Sequence, residues 1–362
     1  MLRRLSIGLV ASAIAIAPLP TKAQDGTAED LGDVMSISLK DVVKPTFGLQ
    51  GALQGAGTPN QSGIGGFLPL SVGDNSVWFL DVLINAHFAD RNGYSSIINT
   101  DVAGGFSTST RLGYRWLNGD RSWMYGLNAG YDGRWLKSGD TDTGIDVGGT
   151  EKNPYFQQVA VNAEAVSNNW GFNAYALIPV GDVEQDLNWI YQGGALNTYG
   201  LDVGYFITPS LQASVGYYYQ HRDQEHVDGS GVRGRLAYDI TQELTLGINI
   251  SYDEAFDTRV STDLKVRFGG CATTEQRKEV QRLPVIKSLT STPSNRDVRV
   301  HDYLVFWATL LKNGWSKERR LFVDTLNSVY LYGDWAGPCD DDKCWMNTRV
   351  ACGINLSCWE AY

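Results

Sequence analysis

The stretch WMYGLNAGYDGRWL, residues 123–136, constrains what this chain can fold into more than any other feature. Its odd-numbered positions are apolar or aromatic apart from one glycine, and its even-numbered positions are mostly polar or glycine. Side chains of a β-strand alternate between two faces, so one face of this strand is apolar with aromatic residues near both ends. About 9–11 tilted residues cross a bilayer, and aromatic residues mark both of its interfaces. The stretch therefore predicts a transmembrane β-strand.

Similar alternation recurs along the first three quarters of the chain, and Gly is abundant at 40 residues. Unpaired backbone groups cannot face lipid, so a sheet of membrane strands must close on itself. The sequence predicts an all-β fold: a closed antiparallel transmembrane β-barrel of about 12 strands, followed by a small C-terminal segment of uncertain fold. The segments expected as strands are 46–55, 62–71, 76–88, 104–117, 123–136, 155–167, 169–180, 195–207, 210–221, 231–241, 243–253 and 258–268.

The connections between these segments alternate in length, as they do in outer-membrane barrels, where short turns face the periplasm and longer loops face outward. Only 254–257 is short where a long loop is expected. With the short turns in the periplasm, both ends of an even-stranded barrel lie there too. The short connections are 72–75, 118–122, 167–169, 208–209 and 241–242, and the long ones are 89–103, 137–154, 181–194 and 222–230.

The start of the chain predicts export from the cytoplasm. A basic Met1-Leu2-Arg3-Arg4 precedes an apolar run, which ends in prolines and small residues before Gln24. This is the pattern of a secretory signal peptide. We therefore divide the chain into a signal peptide (1–23), a polar periplasmic leader (24–45), the barrel (46–270) and a C-terminal linker with a small cysteine-containing tail (271–362). The expected location is the bacterial outer membrane, with the N-terminus in the periplasm.

Charged residues recur on the face of the strands that is expected to line the lumen. They could form a salt-bridged wall with no role in transport, or they could line an aqueous pore or a lumen that holds a linker. Residues 24–270 carry 15 Lys and Arg against 29 Asp and Glu, and this acidic balance argues against nucleic acid as a partner. The expected lumen-facing charges are Arg111, Arg115, Arg134, Asp132, Glu164, Asp202, Arg233, Arg235, Asp239, Arg259, Asp263 and Arg267.

The last predicted strand, STDLKVRF at 261–268, ends in phenylalanine after alternate apolar residues. Leu264, Val266 and Phe268 resemble the C-terminal signal by which the barrel-assembly machinery recognises outer-membrane proteins. In most such proteins that phenylalanine ends the chain, whereas about ninety residues follow it here. The barrel is therefore the amino-terminal part, and another segment is attached behind it.

This order resembles the inverse autotransporters of the intimin and invasin type. LGYRWLNGDRSWMYGLNAGYDGRW (112–135) and FQQVAVNAEAVSNNWGFNAYALIPVG (156–181) are similar to two hairpins of that family's barrel, and the resemblance covers roughly 75–270. It implies a twelve-stranded barrel whose downstream segment passes through the lumen and is displayed outside. The chain departs from the family in two ways: its tail has no Ig-like repeat, and 24–45 is too short for a peptidoglycan-binding module.

The tail, 271–362, contains all five cysteines of the chain. Cys339, Cys344, Cys352 and Cys358 could form one or two disulfides after export, with one thiol left over. A zinc site is disfavoured because the tail has one histidine and no CxxC pair. We expect residues 275–283 to form a short helix or polar linker that plugs the lumen, and 291–297 to form a loop. Apolar runs at 303–311 and 320–332 favour strands or helices of a small domain.

No motif predicts an enzyme, a metal site or a cofactor. His221 and His226 flank Asp223 and Glu225 near the outer end of a strand, but no serine motif accompanies them. The acidic loop 137–154 lacks the spacing of a calcium-binding loop and would instead meet the divalent cations of lipopolysaccharide.

The sequence thus favours a barrel that anchors and translocates its own C-terminal segment to the cell surface, with surface display or adhesion as the outcome. The alternative is a small porin-like channel for passive diffusion of solutes, with the tail in the periplasm. The expected partners are outer-membrane lipid and lipopolysaccharide, the barrel-assembly machinery, periplasmic chaperones and a cell-surface ligand.

Overall fold

A computed structural model describes residues 37–54, 59–90, 95–98, 100–142, 145–146, 152–188, 191–222, 229–269, 283–304, 321–323 and 329–331. Residues 1–36, with the expected signal peptide and most of the expected leader, lie outside these ranges. So do residues 271–282, with most of the expected lumen plug 275–283, the four C-terminal cysteines and His226. No helix within the described ranges is long and apolar enough to cross a membrane.

Long antiparallel strands dominate the described part of the chain. They are β1 (Thr46–Gln54), β2 (Gln61–Val72), β3 (Ser76–His87), β4 (Thr100–Leu117), β5 (Trp123–Asp142), β7 (Tyr155–Ser167), β8 (Trp170–Val180), β11 (Asn197–Thr208), β12 (Leu211–His221), β13 (Gly229–Asp239), β14 (Leu244–Asp253) and β15 (Asp257–Phe268). Short elements accompany them: α1 (Leu39–Val42), β6 (Ile145–Asp146), β9 (Glu184–Asp186), β10 (Tyr191–Ala195), α2 (Pro284–Lys287), a 3-10 turn (Ser288–Thr290), β16 (Val300–Leu304), β17 (Leu321–Val323) and β18 (Val329–Leu331).

These twelve long strands close into one barrel. Each pairs with its neighbours along the chain, and β1 pairs with β15, for example Phe47 opposite Phe268 and Ala52 opposite Asp263. Followed through β1 and β15, the sheet runs from β4 at one edge to β5 near the other. The pairing of β4 with β5 joins these two edges and closes the sheet. The predicted closed antiparallel barrel of twelve strands is therefore confirmed.

The outer surface of the barrel is apolar. Outward side chains such as Leu112, Leu201 and Ile248 are about half exposed. Aromatic rings stack at both ends of the wall: Trp135 lies 3.9 Å from Tyr155 near the long loops, and Trp123 and Tyr125 stack near the short turns. An apolar belt of this size with aromatic edges fits a bilayer rather than water.

The structure departs from the sequence expectations at the rim with the long loops. Strand β5 continues to Asp142 and pairs with β6, so part of the expected loop 137–154 is strand. Residues in the expected loop 181–194 form β9 and β10. The β5–β6 and β9–β10 pairings thus lie in the long connections, beyond the apolar outer surface of the barrel. Two of these connections pack together through Ile97 and Leu187.

The segment expected to be a polar leader ends in a short helix, α1, that has one buried apolar face. Leu39 and Val42 of α1, with Val43, precede the barrel strands in the chain. They pack against Val285 and Ile286, which follow the last barrel strand. This cluster lies at the short-turn end of the lumen, beside Leu117 and Met124. The apolar side chains at residues 39–43 are therefore part of the barrel's core, although the composition of 24–45 as a whole is polar.

Candidate functional site in the barrel lumen

Ion pairs line the inner wall on β4, β5 and β7. The guanidinium of Arg111 donates two parallel hydrogen bonds to the Asp132 carboxylate, at 2.6 and 2.7 Å, and the two side chains are 0% and 1% exposed. Arg115 pairs with Glu164 at 3.0 Å. Strand alternation places these groups inward, where each buried charge needs an opposite charge and hydrogen bonds. Paired charges give this half of the wall a fixed, water-excluded inner surface.

Two of the ion pairs span a glycine on the strand between the partners. Gly126 lies opposite both Arg115 and Glu164, and Gly216 lies opposite both Asp202 and Arg233. A Cβ at Gly216 would lie 2.0 Å from Asp202 Oδ1, and one at Gly126 would lie 3.0 Å from Arg115 Cγ. The missing side chain lets two charges meet across a strand that would otherwise separate them.

Residues 283–304 run through the barrel, and arginines of the wall bind their backbone. Arg115 donates to the carbonyl oxygen of Ser291 at 2.7 Å, and Arg111 donates to that of Asn295 at 3.3 Å. Arg134 donates to the carbonyl oxygen of Val298 at 3.1 Å. The three arginines thus bind successive positions along the segment, which we call the threaded segment.

Side chains of the threaded segment also reach the wall. Arg296 pairs with Asp81 at 2.6 Å, and Lys287 pairs with Asp239. Asn295 accepts a hydrogen bond from Arg233 at 2.8 Å. These contacts fall on opposite parts of the barrel, so the segment is fixed from several sides.

The threaded segment begins at the short-turn end of the barrel. Val285, Ile286 and Leu289 are buried in the same apolar cluster as α1. The backbone N–H of Val285 donates to Asn168 in the turn between β7 and β8 at 3.4 Å. The first part of the segment therefore fills part of this mouth with apolar side chains.

The segment leaves at the long-loop end, where β16 pairs with β10. Asp302 accepts hydrogen bonds from the backbone N–H and the hydroxyl of Thr100 at 2.8 and 2.9 Å. Arg222 stacks over the ring of Tyr303 and pairs with Glu184 at 3.2 Å. The segment thus joins a small sheet made by the loops.

A loop carboxylate at the same end has a shifted pKa. Burial raises the pKa of Asp90, while hydrogen bonds from Ser96 act in the opposite direction. Its Oδ2 accepts from the backbone N–H of Ser96 at 2.8 Å and from that of Val102 at 3.2 Å. Asp90 therefore organises the turn that precedes β4.

The structure places all twelve charges singled out in the sequence on the inner side of the barrel. Arg235 pairs with Asp263, and Arg259 stacks over the ring of Phe256 at 3.4 Å. Leu264 and Phe268 of the assembly signal face outward from β15. The sequence pattern does not single out Lys287, Asn295 or Arg296. Asn295 and Arg296 lie in residues 291–297, which were expected to be loop and carry no periodic signal, and Lys287 lies in the short helix α2 just before them.

The other residues considered in the sequence lie at the rim of the barrel or outside the residues that the structure describes. His221 ends β12 and stacks on Tyr219 at 6.2 Å. Residues 223–228, with His226, and the cysteines lie outside the described residues. No cluster of potential metal ligands is found among the residues that the structure does describe.

No family model and no curated protein matches the chain. A solved structure reported as "Unveiling the Mechanism Behind the in-meso Crystallization of Membrane Proteins" aligns over 72% of this chain and 99% of that one, with a TM-score of 0.52 and 13% identity. Outer membrane phospholipase A from Escherichia coli aligns over 65% of this chain and 97% of that one, with a TM-score of 0.37 and 16% identity. KdgM porin aligns over 62% of this chain and 99% of that one, with a TM-score of 0.35 and 7% identity. The likeness to the first structure is one of fold.

Proposed function

We propose that this barrel anchors and translocates its own C-terminal segment, which it displays on the cell surface in the manner of an inverse autotransporter. The observation that carries the proposal is the course of residues 283–304, which enter at the short-turn end and leave at the long-loop end. A channel for solutes has no need of a segment of its own chain along the lumen. The proposal assigns no catalytic step to the barrel.

The way in which the wall binds the threaded segment supports transport of polypeptide. Arg111, Arg115 and Arg134 donate to backbone carbonyl oxygens, which every residue carries. Such donors can bind any extended chain, whatever its side chains. The wall can therefore hold successive residues during passage and retain the last ones once passage ends.

The direction of the segment sets its expected location in the cell. With the short turns in the periplasm, residues after Leu304 emerge on the outside, and the tail becomes available to a cell-surface ligand. Assembly would then depend on periplasmic chaperones and on the barrel-assembly machinery, which reads Leu264, Val266 and Phe268.

Surface exposure of the tail tests this proposal. An epitope is placed after Tyr362 and protease is added to intact cells. We expect the epitope to be cleaved while fragments containing 46–268 stay protected. An epitope that is protected until the outer membrane is breached would contradict export of the tail.

A matched control locates the two ends of the barrel in the same cells. The same epitope is inserted between Gly119 and Asp120, in the short turn between β4 and β5. We expect it to be protected in intact cells and cleaved after the outer membrane is permeabilised. Cleavage at this site in intact cells would reverse the assigned orientation.

A porin-like channel is the second candidate. A cavity of about 290 Å³ at the short-turn mouth, lined by Lys44, Asp239 and Lys287 among others, favours partial entry of solutes. Single-channel recording separates the two functions. A steady open conductance of the full chain would support the channel, and a closed trace would support the exporter.

A further inference from the structure

We propose that a small inorganic anion binds in the lumen, between the threaded segment and strands β1, β2 and β15, at a site formed by Lys265, Arg267 and Arg296. The site depends on the position of the threaded segment in the lumen. It does not depend on how the segment came to be there, so it can fail or stand independently of the proposed export.

A cavity of about 50 Å³ exists at this place because two inward positions carry no side chain. Gly48 of β1 lies opposite Gly65 of β2, and both line the cavity. On the other side of Gly48 the strand pairing places Arg267, and Lys265 follows two residues away on the same face. The paired glycines leave room beside the cations of β15.

The charges around this cavity do not balance. Lys265, Arg267 and Arg296 line it together with a single acidic residue, Asp81. Asp81 already pairs with Arg296 at 2.6 Å. Within the described ranges no side-chain hydrogen bond or salt bridge joins Lys265 or Arg267 to a partner, although the backbone of both residues belongs to the sheet. The cavity therefore has an excess of positive charge inside the barrel.

Arg296 adds unused hydrogen-bond donors to this charge. Its side chain is 7% exposed, and its Nε and Nη1 are buried without a hydrogen-bond partner among the described residues. Buried guanidinium donors left without acceptors are costly, and an anion that accepts from them removes the cost. The unpaired guanidinium donors of Arg296 in the threaded segment and the cations Lys265 and Arg267 of the wall thus line the same cavity.

The volume of the cavity restricts the ligand. A water molecule needs roughly 10–15 Å³ of cavity measured in this way, so 50 Å³ admits a halide or a similarly compact anion and is too small to enclose one the size of gluconate. The source of such an anion is the solution that fills the lumen. Because Arg296 belongs to the threaded segment and Lys265 to the wall, a bound anion would hold the segment in place.

Anomalous diffraction from bromide tests the site. Crystals of the full chain are soaked in sodium bromide, and we expect an anomalous peak among Lys265, Arg267 and Arg296. The double variant Lys265→Gln/Arg267→Gln should lose the peak, while Lys40→Gln, an exposed cation of α1, should keep it. No peak in the wild type, or a peak that the double variant keeps, overturns the proposal.

A solution measurement shows whether binding occurs at ordinary salt concentrations. Thermal unfolding of the wild type is followed in chloride and in gluconate at equal ionic strength, since gluconate is too large for the cavity. We expect a higher unfolding temperature in chloride, a difference that Lys265→Gln/Arg267→Gln abolishes and Lys40→Gln retains. Equal unfolding temperatures in the two salts would mean binding at crystal concentration only and would overturn the proposal.

Discussion

The two halves of the barrel wall carry the same kind of ion pair in different surroundings. Under the threaded segment, on β3 to β8, Arg111 and Asp132 are 0% and 1% exposed. On the opposite half, β11 to β15, Arg235 and Asp263 are 29% and 14% exposed. Both pairs are built from inward positions of neighbouring or near-neighbouring strands, so the strand pattern alone does not distinguish them.

The difference comes from what covers each half. The threaded segment excludes water from the first half and offers backbone carbonyl oxygens to Arg111, Arg115 and Arg134. On the second half the threaded segment contacts Asp239 and Arg233 of β13, whereas the described hydrogen bonds of Arg235 go only to Asn249 and Asp263. Removing water strengthens electrostatic interactions and makes an unpaired charge costly. The covered half should therefore respond far more to loss of a partner.

The largest expected effect compares Arg111→Met with Arg235→Met. The first leaves Asp132 buried without its partner and should lower the free energy of unfolding by about 3–5 kcal/mol. The second leaves Asp263 in contact with water and with Asn249, and should cost about 1 kcal/mol. Guanidinium unfolding in detergent micelles measures both, and equal losses would contradict the proposed contrast.

The next effect concerns the apolar end of the threaded segment. Leu289→Ala removes a fully buried side chain from the cluster at the short-turn mouth and should cost about 2–5 kcal/mol. Hydrogen exchange of residues 283–304 should increase, because the segment loses its main apolar contact. Ser294→Ala, at an exposed position of the same segment, is the control: it removes only the long hydrogen bonds that Asn173 and Asn295 donate to the Ser294 hydroxyl, at 3.4 and 3.2 Å, and should change the exchange much less. Similar exchange in both variants would mean that the segment is retained by polar contacts alone.

A smaller effect is expected at the glycines under the ion pairs. In Gly216→Ala the new methyl group meets the Asp202 carboxylate, so the pair with Arg233 must shift, at a cost of about 1–3 kcal/mol. Gly234→Ala is the control, since its added carbon would have 3.5 Å to the nearest atom. The unfolding midpoints of the two variants give the difference. A neutral Gly216→Ala would show that the pair does not depend on this close approach.

The smallest effect is a pH dependence from Asp90. Its raised pKa means that the folded state binds the proton more tightly than the unfolded state, so this group's contribution to stability falls as pH rises from the ordinary carboxyl pKa, about 4, through the raised one. Asp90→Asn keeps an acceptor for Ser96 and should flatten this part of the profile. Unfolding midpoints from about pH 4 to about pH 7 measure it, and identical profiles would contradict the assignment.

The sequence by itself determined the barrel wall. Alternation with a period of two is local, so residues 123–136 and their repeats fixed which side chains face lipid and which face the lumen. Counting the alternating segments predicted twelve strands, and the alternation of short and long connections agreed with that number except at 254–257. Arg111 and Asp132 could each be assigned to the inner face in this way, although the pairing of one with the other could not.

Only the tertiary structure decided which residues after the barrel fill the lumen and which side chains of the wall bind them. Residues 291–297 are loop, as expected, but nothing in their pattern predicts that the carbonyl oxygen of Ser291 accepts a hydrogen bond from Arg115 across 176 positions of sequence. Val285 and Leu289 become core residues only once twelve strands have closed around them. Burial and ion pairing over such separations depend on the whole barrel, because the low-dielectric space in which they act does not exist in any single segment of the chain.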